Sequence, residues 1–248
     1  MKTRACLLLC IFTMLCVGAH AQKTDTLLVP KTSGYLSIGL GATLAVGPYA
    51  GTTGNGFGQY AQAGLSRFIS GAVIVNKIRL GFVINYGAFN STFNANKYVA
   101  NLKSPDSLKN TQFGKQPASG NLYTGAYGMF GFMGEIRIKK FAIDIRVMGG
   151  RLTTFFPELA YYESGINNAG KFVNTNYDYL STETFSLGLD AGLNARYTIK
   201  KHFCVMINAD YLYSKFYYGT VENISNQPVG NECVVSLFNF TAAAAYQF

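Results

Sequence analysis

The chain has 248 residues and a formal net charge of +9 at neutral pH. Charged residues make up 13% of the chain, against roughly 25% in soluble domains, whereas phenylalanine and tyrosine are abundant. The lysines lie mainly in predicted turns and one loop rather than in one patch, so the basic charge does not indicate nucleic-acid binding.

The N-terminus has the pattern of a cleaved export signal. Lys2 and Arg4 precede an apolar run from Leu7 to Val17, and Ala19-His20-Ala21 is a small-x-small cleavage site. The apolar run is too short to cross a bilayer as a helix. We therefore predict a Sec-type signal peptide at residues 1–21.

The mature chain is long enough for one large all-β domain. We predict a polar periplasmic lead-in at residues 22–33, followed by a single domain at residues 34–248, in which apolar residues alternate with small or polar ones. This period of two is typical of strands with one apolar face. Eight such runs are predicted, starting near Gly34, Gln59, Ile78, Leu122, Phe141, Phe185, Phe203 and Val234.

One residue of the second run has no settled direction. Arg67 falls on the apolar face with Leu65 and Ile69, but a β-bulge near Ser70-Gly71 would return it to the opposite face. The sequence alone leaves open whether the Arg67 side chain points to the lipid or to the interior.

The connections between the runs alternate strictly between short and long. Short turns are predicted at Asn76-Lys77, Lys139-Lys140 and Lys200-Lys201-His202, and long loops follow the first, third, fifth and seventh runs. This sorting of loops is typical of outer-membrane barrels with an even number of strands. We predict an all-β, up-and-down antiparallel transmembrane β-barrel of eight strands, or of ten if a long loop contains a further hairpin.

The last run, from Val234 to Phe248, ends the chain on an aromatic residue. Together with the export signal and the eight amphipathic runs, the ending Tyr246-Gln247-Phe248 resembles the small outer-membrane β-barrel proteins of Gram-negative bacteria, of the OmpX, OmpW and OmpA-barrel types. The resemblance implies a porin-like integral protein of the cell outer membrane. It also implies that the barrel-assembly machinery reads the terminal strand ending in Phe248.

If the apolar faces contact lipid, eight ionisable side chains face the interior. They are Arg79, Arg137, Arg146, Arg196, Glu135, Asp144, Asp190 and Asp210. A barrel of about eight strands is just wide enough for side chains to fill, and charges buried there must pair. We predict a network that plugs the barrel, with a proton or ion relay as the alternative.

No pattern in the chain indicates an enzyme, and we expect no catalytic, cofactor-binding or metal-binding residues. His202 is the only histidine after removal of the signal, and it falls in a predicted periplasmic turn, where we expect it to be solvated. Cys204 and Cys233 are predicted at opposite ends of neighbouring strands, too far apart for a disulfide.

These observations predict a non-enzymatic barrel with a structural or surface-interaction role. A transporter of small apolar solutes is the alternative, and a lipid-modifying enzyme is a weaker one. Four lysines of the loop at residues 94–121 could contact lipopolysaccharide phosphates, with a solvated loop as the alternative: Lys97, Lys103, Lys109 and Lys115. We expect outer-membrane lipids as partners and a monomeric protein.

Overall fold

A computed structural model describes residues 32–52, 59–101, 108–115, 122–157, 159–179, 183–221 and 228–248. The predicted signal peptide and most of the predicted lead-in lie outside these residues. The first strand begins at Thr32, two residues before the predicted start of the domain.

Strands dominate the described residues, with two short helices between them. The strands are β1 (Thr32–Ala45), β2 (Gly64–Val75), β3 (Leu80–Thr92), β4 (Leu108–Lys115), β5 (Leu122–Ile138), β6 (Phe141–Phe155), β7 (Leu159–Asn167), β8 (Phe172–Tyr179), β9 (Glu183–Lys200), β10 (Phe203–Val221) and β11 (Pro228–Gln247). The helices are α1 (Gly47–Ala50) and α2 (Ala95–Ala100). None of the helices in the described ranges is long and apolar enough to cross a membrane.

Eight of the strands form a closed antiparallel barrel in the order β1, β2, β3, β5, β6, β9, β10 and β11, with β11 pairing back onto β1. The prediction of eight strands is confirmed. Following the paired residues from Leu36 strand by strand around the barrel leads to Ser236 on β11. Leu36 itself pairs with Tyr246, ten residues further along β11, so the barrel closes with a stagger of ten residues. A stagger of this size requires strongly tilted strands.

The alternation along each strand separates an apolar exterior from a polar interior. Leu40 on β1, Phe132 on β5 and Leu187 on β9 are more than 70% exposed on the outside. Such a continuous apolar band needs a lipid environment, and a closed barrel leaves no unpaired strand edge within it. The chain therefore forms a membrane-spanning barrel of the outer-membrane type.

The short connections define one end of the barrel, which we call the short-turn end, and the opposite one is the long-loop end. The turn at Lys139-Lys140 is found as predicted. The predicted two-residue turn at Asn76-Lys77 is wrong, because the turn extends over four residues to Arg79 and β3 starts only at Leu80.

The structure settles the direction of Arg67, whose side chain is exposed on the outside of β2. β2 pairs with β1 and with β3 in continuous register, so no bulge at Ser70-Gly71 turns Arg67 inward.

The long polar loops contain further structure. Strands β7 and β8 form a hairpin between β6 and β9, and β4 pairs with β7 to complete a separate three-stranded sheet. The alternative of ten barrel strands is therefore wrong, because the hairpin pairs with β4 instead of joining the barrel wall.

The barrel should fold without this hairpin. Phe155 and Glu183 are paired at the ends of β6 and β9, so a short Gly-Ser linker can replace residues 157–181 without moving either strand. We expect the shortened protein to keep heat-modifiable gel mobility and its urea unfolding midpoint. An unfolded product would show instead that the hairpin is part of the barrel's folding unit.

Candidate functional site

The barrel interior near the short-turn end is organised around one carboxylate. Glu135 on β5 is fully buried and accepts from Arg79 at 2.8 Å, from Arg137 at 2.9 Å and from Arg196. The side chains of Arg79 and Arg137 are 45% and 25% exposed, whereas that of Arg196 is 1% exposed. The cluster thus reaches from the rim of the barrel into its interior.

Arg196 holds two like charges together. Glu135 and Asp144 are directly opposite each other on β5 and β6, an arrangement that is unfavourable for two carboxylates. The guanidinium of Arg196 donates to Glu135 and lies 3.4 Å from Asp144 Oδ1. It also lies 4.6 Å from the ring centroid of Tyr35, in cation–π geometry.

A second ion pair lies nearer the long-loop end, where Arg146 on β6 donates to Asp210 on β10. β9 runs between these strands, and its residue opposite both of them is Gly192. A Cβ atom at this position would overlap Oδ1 of Asp210. The pair forms across an intervening strand because that strand has no side chain there.

A row of polar side chains extends these clusters across neighbouring strands. Asn194 donates to Asp144 at 3.0 Å, and Asn208, which is paired with Asn194, donates to Thr241 at 3.0 Å. All four side chains are buried. Seven of the eight charged residues predicted to face the interior form ion pairs there, and Asp190 forms none within the described residues. The polar row extends from these pairs toward β11. That the network plugs the barrel stays a prediction.

Some buried polar atoms have no protein partner within the described ranges, among them Nε and Nη1 of both Arg146 and Arg196, and Oδ1 of Asp190. Buried polar groups are nearly always hydrogen-bonded, to protein or to ordered water. We therefore expect internal water around these atoms. The predicted ion relay has no test in this geometry and stays a prediction.

An aromatic cluster is buried at the long-loop end of the barrel, and we call it the aromatic cap. It consists of Tyr49, Tyr60, Phe93, Tyr98, Tyr123 and Phe156, all at most 4% exposed. The ring centroids of Tyr49 and Tyr123 are 5.2 Å apart, and those of Tyr123 and Phe156 are 5.7 Å apart. Burial raises the pKa of Tyr49 well above its ordinary value, so its phenol stays neutral.

Sequence reasoning missed the aromatic cap. Tyr49 and Tyr98 lie on α1 and α2, in segments predicted only as loops. The sequence signal for the cap was the presence of aromatic residues such as Tyr49 and Tyr98 in otherwise polar connections, because a solvated loop does not need them.

His202 lies in the turn at the short-turn end, as predicted, but its side chain is half-buried rather than fully solvated. Its Nδ1 lies 2.9 Å from the carbonyl oxygen of Gln247, and its ring stacks on Tyr246 with a centroid distance of 5.4 Å. Gln247 N–H in turn donates to the His202 carbonyl at 2.7 Å. His202 therefore fastens the end of β11 to the turn between β9 and β10.

Cys204 and Cys233 are both buried and form no disulfide, as predicted. In the part of the chain that the structure describes, no group of three or more His, Cys, Asp or Glu side chains is arranged to hold a metal ion.

No family model and no curated protein matches the sequence. Among solved structures, the chain is similar to the attachment invasion locus protein Ail of Yersinia pestis at 13% identity and a TM-score of 0.40, over 88% of this chain and 97% of that one. It is similar to a major outer membrane protein of Thermus thermophilus at 10% identity and a TM-score of 0.43, over 88% and 99% of the two chains.

A third similarity is to the outer membrane protease OmpT of Escherichia coli, at 10% identity and a TM-score of 0.33, over 91% of this chain and 99% of that one. The closed barrel with its apolar exterior is what defines the fold of this chain.

Replacing Arg196 should destabilise the barrel. We expect Arg196→Met to cost about 3–5 kcal/mol of unfolding free energy, because it leaves Glu135 and Asp144 opposed in a buried site. Urea titration of the folded protein, followed by gel mobility, measures this cost. Asp144→Asn in the same background should recover part of it, and Arg151→Met on the exterior is the matched control. Equal effects of the two methionine variants would contradict the assigned role.

Proposed function

We propose that this protein is a non-enzymatic outer-membrane barrel with a closed interior and a structural or surface-interaction role. The observation that carries the proposal is the filling of the barrel along its length, by the buried ion pairs toward the short-turn end and by the aromatic cap at the other. A transporter requires an open path through the barrel, whereas these buried side chains lie in its interior.

The three-stranded sheet of β4, β7 and β8 supports a role in surface interaction. Its hairpin presents Phe172, 73% exposed, together with Ile166 and Tyr162. Strands β4 and β8 are the edges of this sheet, and exposed edges can pair with an extended segment of another protein. We propose that the sheet projects from the cell surface and contacts a protein partner.

The proposed export and assembly of the protein depend on the signal at residues 1–21 and on the contacts of the terminal strand. We propose export by a Sec-type signal at residues 1–21, with insertion as a monomer among outer-membrane lipids. Phe248 N–H donates to the Gly34 carbonyl and Gly34 N–H to that of Phe248, both at 3.0 Å, so the last residue sits at the closing seam. This position supports recognition of the terminal strand by the assembly machinery.

The absence of enzymatic activity is also part of the proposal. An outer-membrane hydrolase acting on surface lipid needs a base at the long-loop end, whereas His202 lies at the short-turn end and contacts Gln247. Contact of the loop lysines with lipopolysaccharide, which the sequence offers beside a solvated loop, is a further proposal. Of these lysines, Lys97 on α2 has a described, exposed side chain.

Reconstituted protein should not conduct. In planar bilayers, we expect currents at the level of protein-free lipid, because the ion pairs and the aromatic cap occupy the lumen, while an open porin serves as the positive control. Outer-membrane lipid masses should be unchanged between cells with and without the protein. Reproducible conductance, uptake of an apolar solute, or an altered lipid mass would contradict a closed, non-enzymatic barrel.

Deleting Phe248 should impair assembly in cells. We expect a several-fold loss of folded, heat-modifiable protein in the outer membrane, because both the seam hydrogen bonds and the terminal aromatic residue are removed. Phe172→Ala, which removes another exposed aromatic side chain away from the seam, should leave assembly unchanged. Refolding in detergent distinguishes loss of the seam hydrogen bonds from loss of recognition by the assembly machinery. No machinery is present in detergent, so a lower refolding yield of the deletion variant indicates a defect of the seam.

A further inference from the structure

Arg67 is an arginine on the lipid-facing side of the barrel. It points outward between Leu65 and Ile69, and its cross-strand partners are Leu40 on β1 and Ala88 on β3. In the described parts of the chain, no carboxylate lies within ion-pair distance of its guanidinium. An unpaired cation on this surface is costly in proportion to its depth in the bilayer, so its persistence there points to a partner outside the chain.

Two hydrogen-bonding side chains lie near Arg67 on the side toward the long-loop end. A surface depression of about 390 Å³ is lined there by Arg67, Asn90 and Thr124 together with a larger apolar part that includes Leu65 and Phe155. Oδ1 of Asn90 accepts from Leu65 N–H at 2.8 Å, which leaves its amide group to donate outward. No acidic side chain lines this depression, so its chemistry suits an anion.

An apolar groove adjoins Arg67 on the side toward the short-turn end. It has a volume of about 1040 Å³ and shares Arg67, Leu40 and Ala88 with the depression. Its floor is formed by Ala242 and Ala244 on β11. Strand pairing places Ala242 between Ile207 and Leu40, so branched side chains on β10 and β1 stand on either side of a narrow alanine floor.

We propose that Arg67 binds the phosphate of an anionic membrane lipid whose acyl chain lies in the groove over Ala242 and Ala244. The guanidinium, the Asn90 amide and the Thr124 hydroxyl are donors that match phosphate oxygens, and arginine binds phosphate in a fixed, forked geometry. The headgroup site lies toward the long-loop end and the groove toward the short-turn end. A lipid whose headgroup is nearer the long loops than its acyl chain is therefore oriented to occupy both. The inference rests on the membrane location of the barrel and not on its closed interior.

The test uses the full mature chain in detergent micelles and a fluorescent diphosphoryl lipid A as the probe. We expect Arg67→Gln to weaken binding about tenfold, as loss of a charge-assisted hydrogen bond predicts. Arg151→Gln is the matched control, since Arg151 is also an outward arginine but lies over the ring of Phe185 at 4.4 Å. Its affinity should stay within about twofold of the unchanged protein.

Two further arms separate the parts of the site. Ala242→Leu fills the groove and should also weaken lipid binding, while gel mobility shows that the barrel is folded. Dephosphorylated lipid A should bind weakly to the unchanged protein and show no difference between Arg67→Gln and Arg151→Gln. Equal affinity of the two arginine variants for the diphosphoryl probe, or competition by inorganic phosphate as effective as by lipid, would overturn the proposal.

Discussion

Closure of β11 onto β1 is the constraint on which the rest of the structure depends. In a bilayer, every backbone N–H and C=O of a spanning strand needs a partner within the protein, and a sheet satisfies this only when its first and last strands pair. Here the closure uses the register from Tyr35 with Gln247 to Ala45 with Leu237, and the contacts of His202 hold its last residues in place. Because closure fixes the stagger, it also decides which side chains meet in the lumen.

The polar interior follows from that register. Arg146 and Asp210 meet because each is paired with Gly192 on the strand between them, and Glu135 and Asp144 are brought together by direct pairing of β5 with β6. A narrow barrel leaves no space in which such charges can be solvated separately. Pairing them with arginines therefore fills the lumen and specifies the register at the same time.

Much of this arrangement could be predicted from the sequence, because the strand period of two is a local property. It assigned the inward direction of Arg146, Asp190 and Arg196 correctly, and the count of alternating runs predicted the number of barrel strands. The direction of Arg67 was not predictable, since a bulge depends on the neighbouring strands. The aromatic cap was missed because Tyr49, Phe93 and Tyr123 are distant in sequence and meet only after closure.

The cluster around Glu135 has an outer and an inner part. Arg79 and Arg137 are partly exposed at the short-turn end, whereas Arg196 and Asp144 are buried behind them. Dissolved salt screens exposed ion pairs more than buried ones. Ionic strength at the short-turn end therefore acts first on the two rim arginines, and the pairing of Arg196 with Asp144 is the contact that it weakens least.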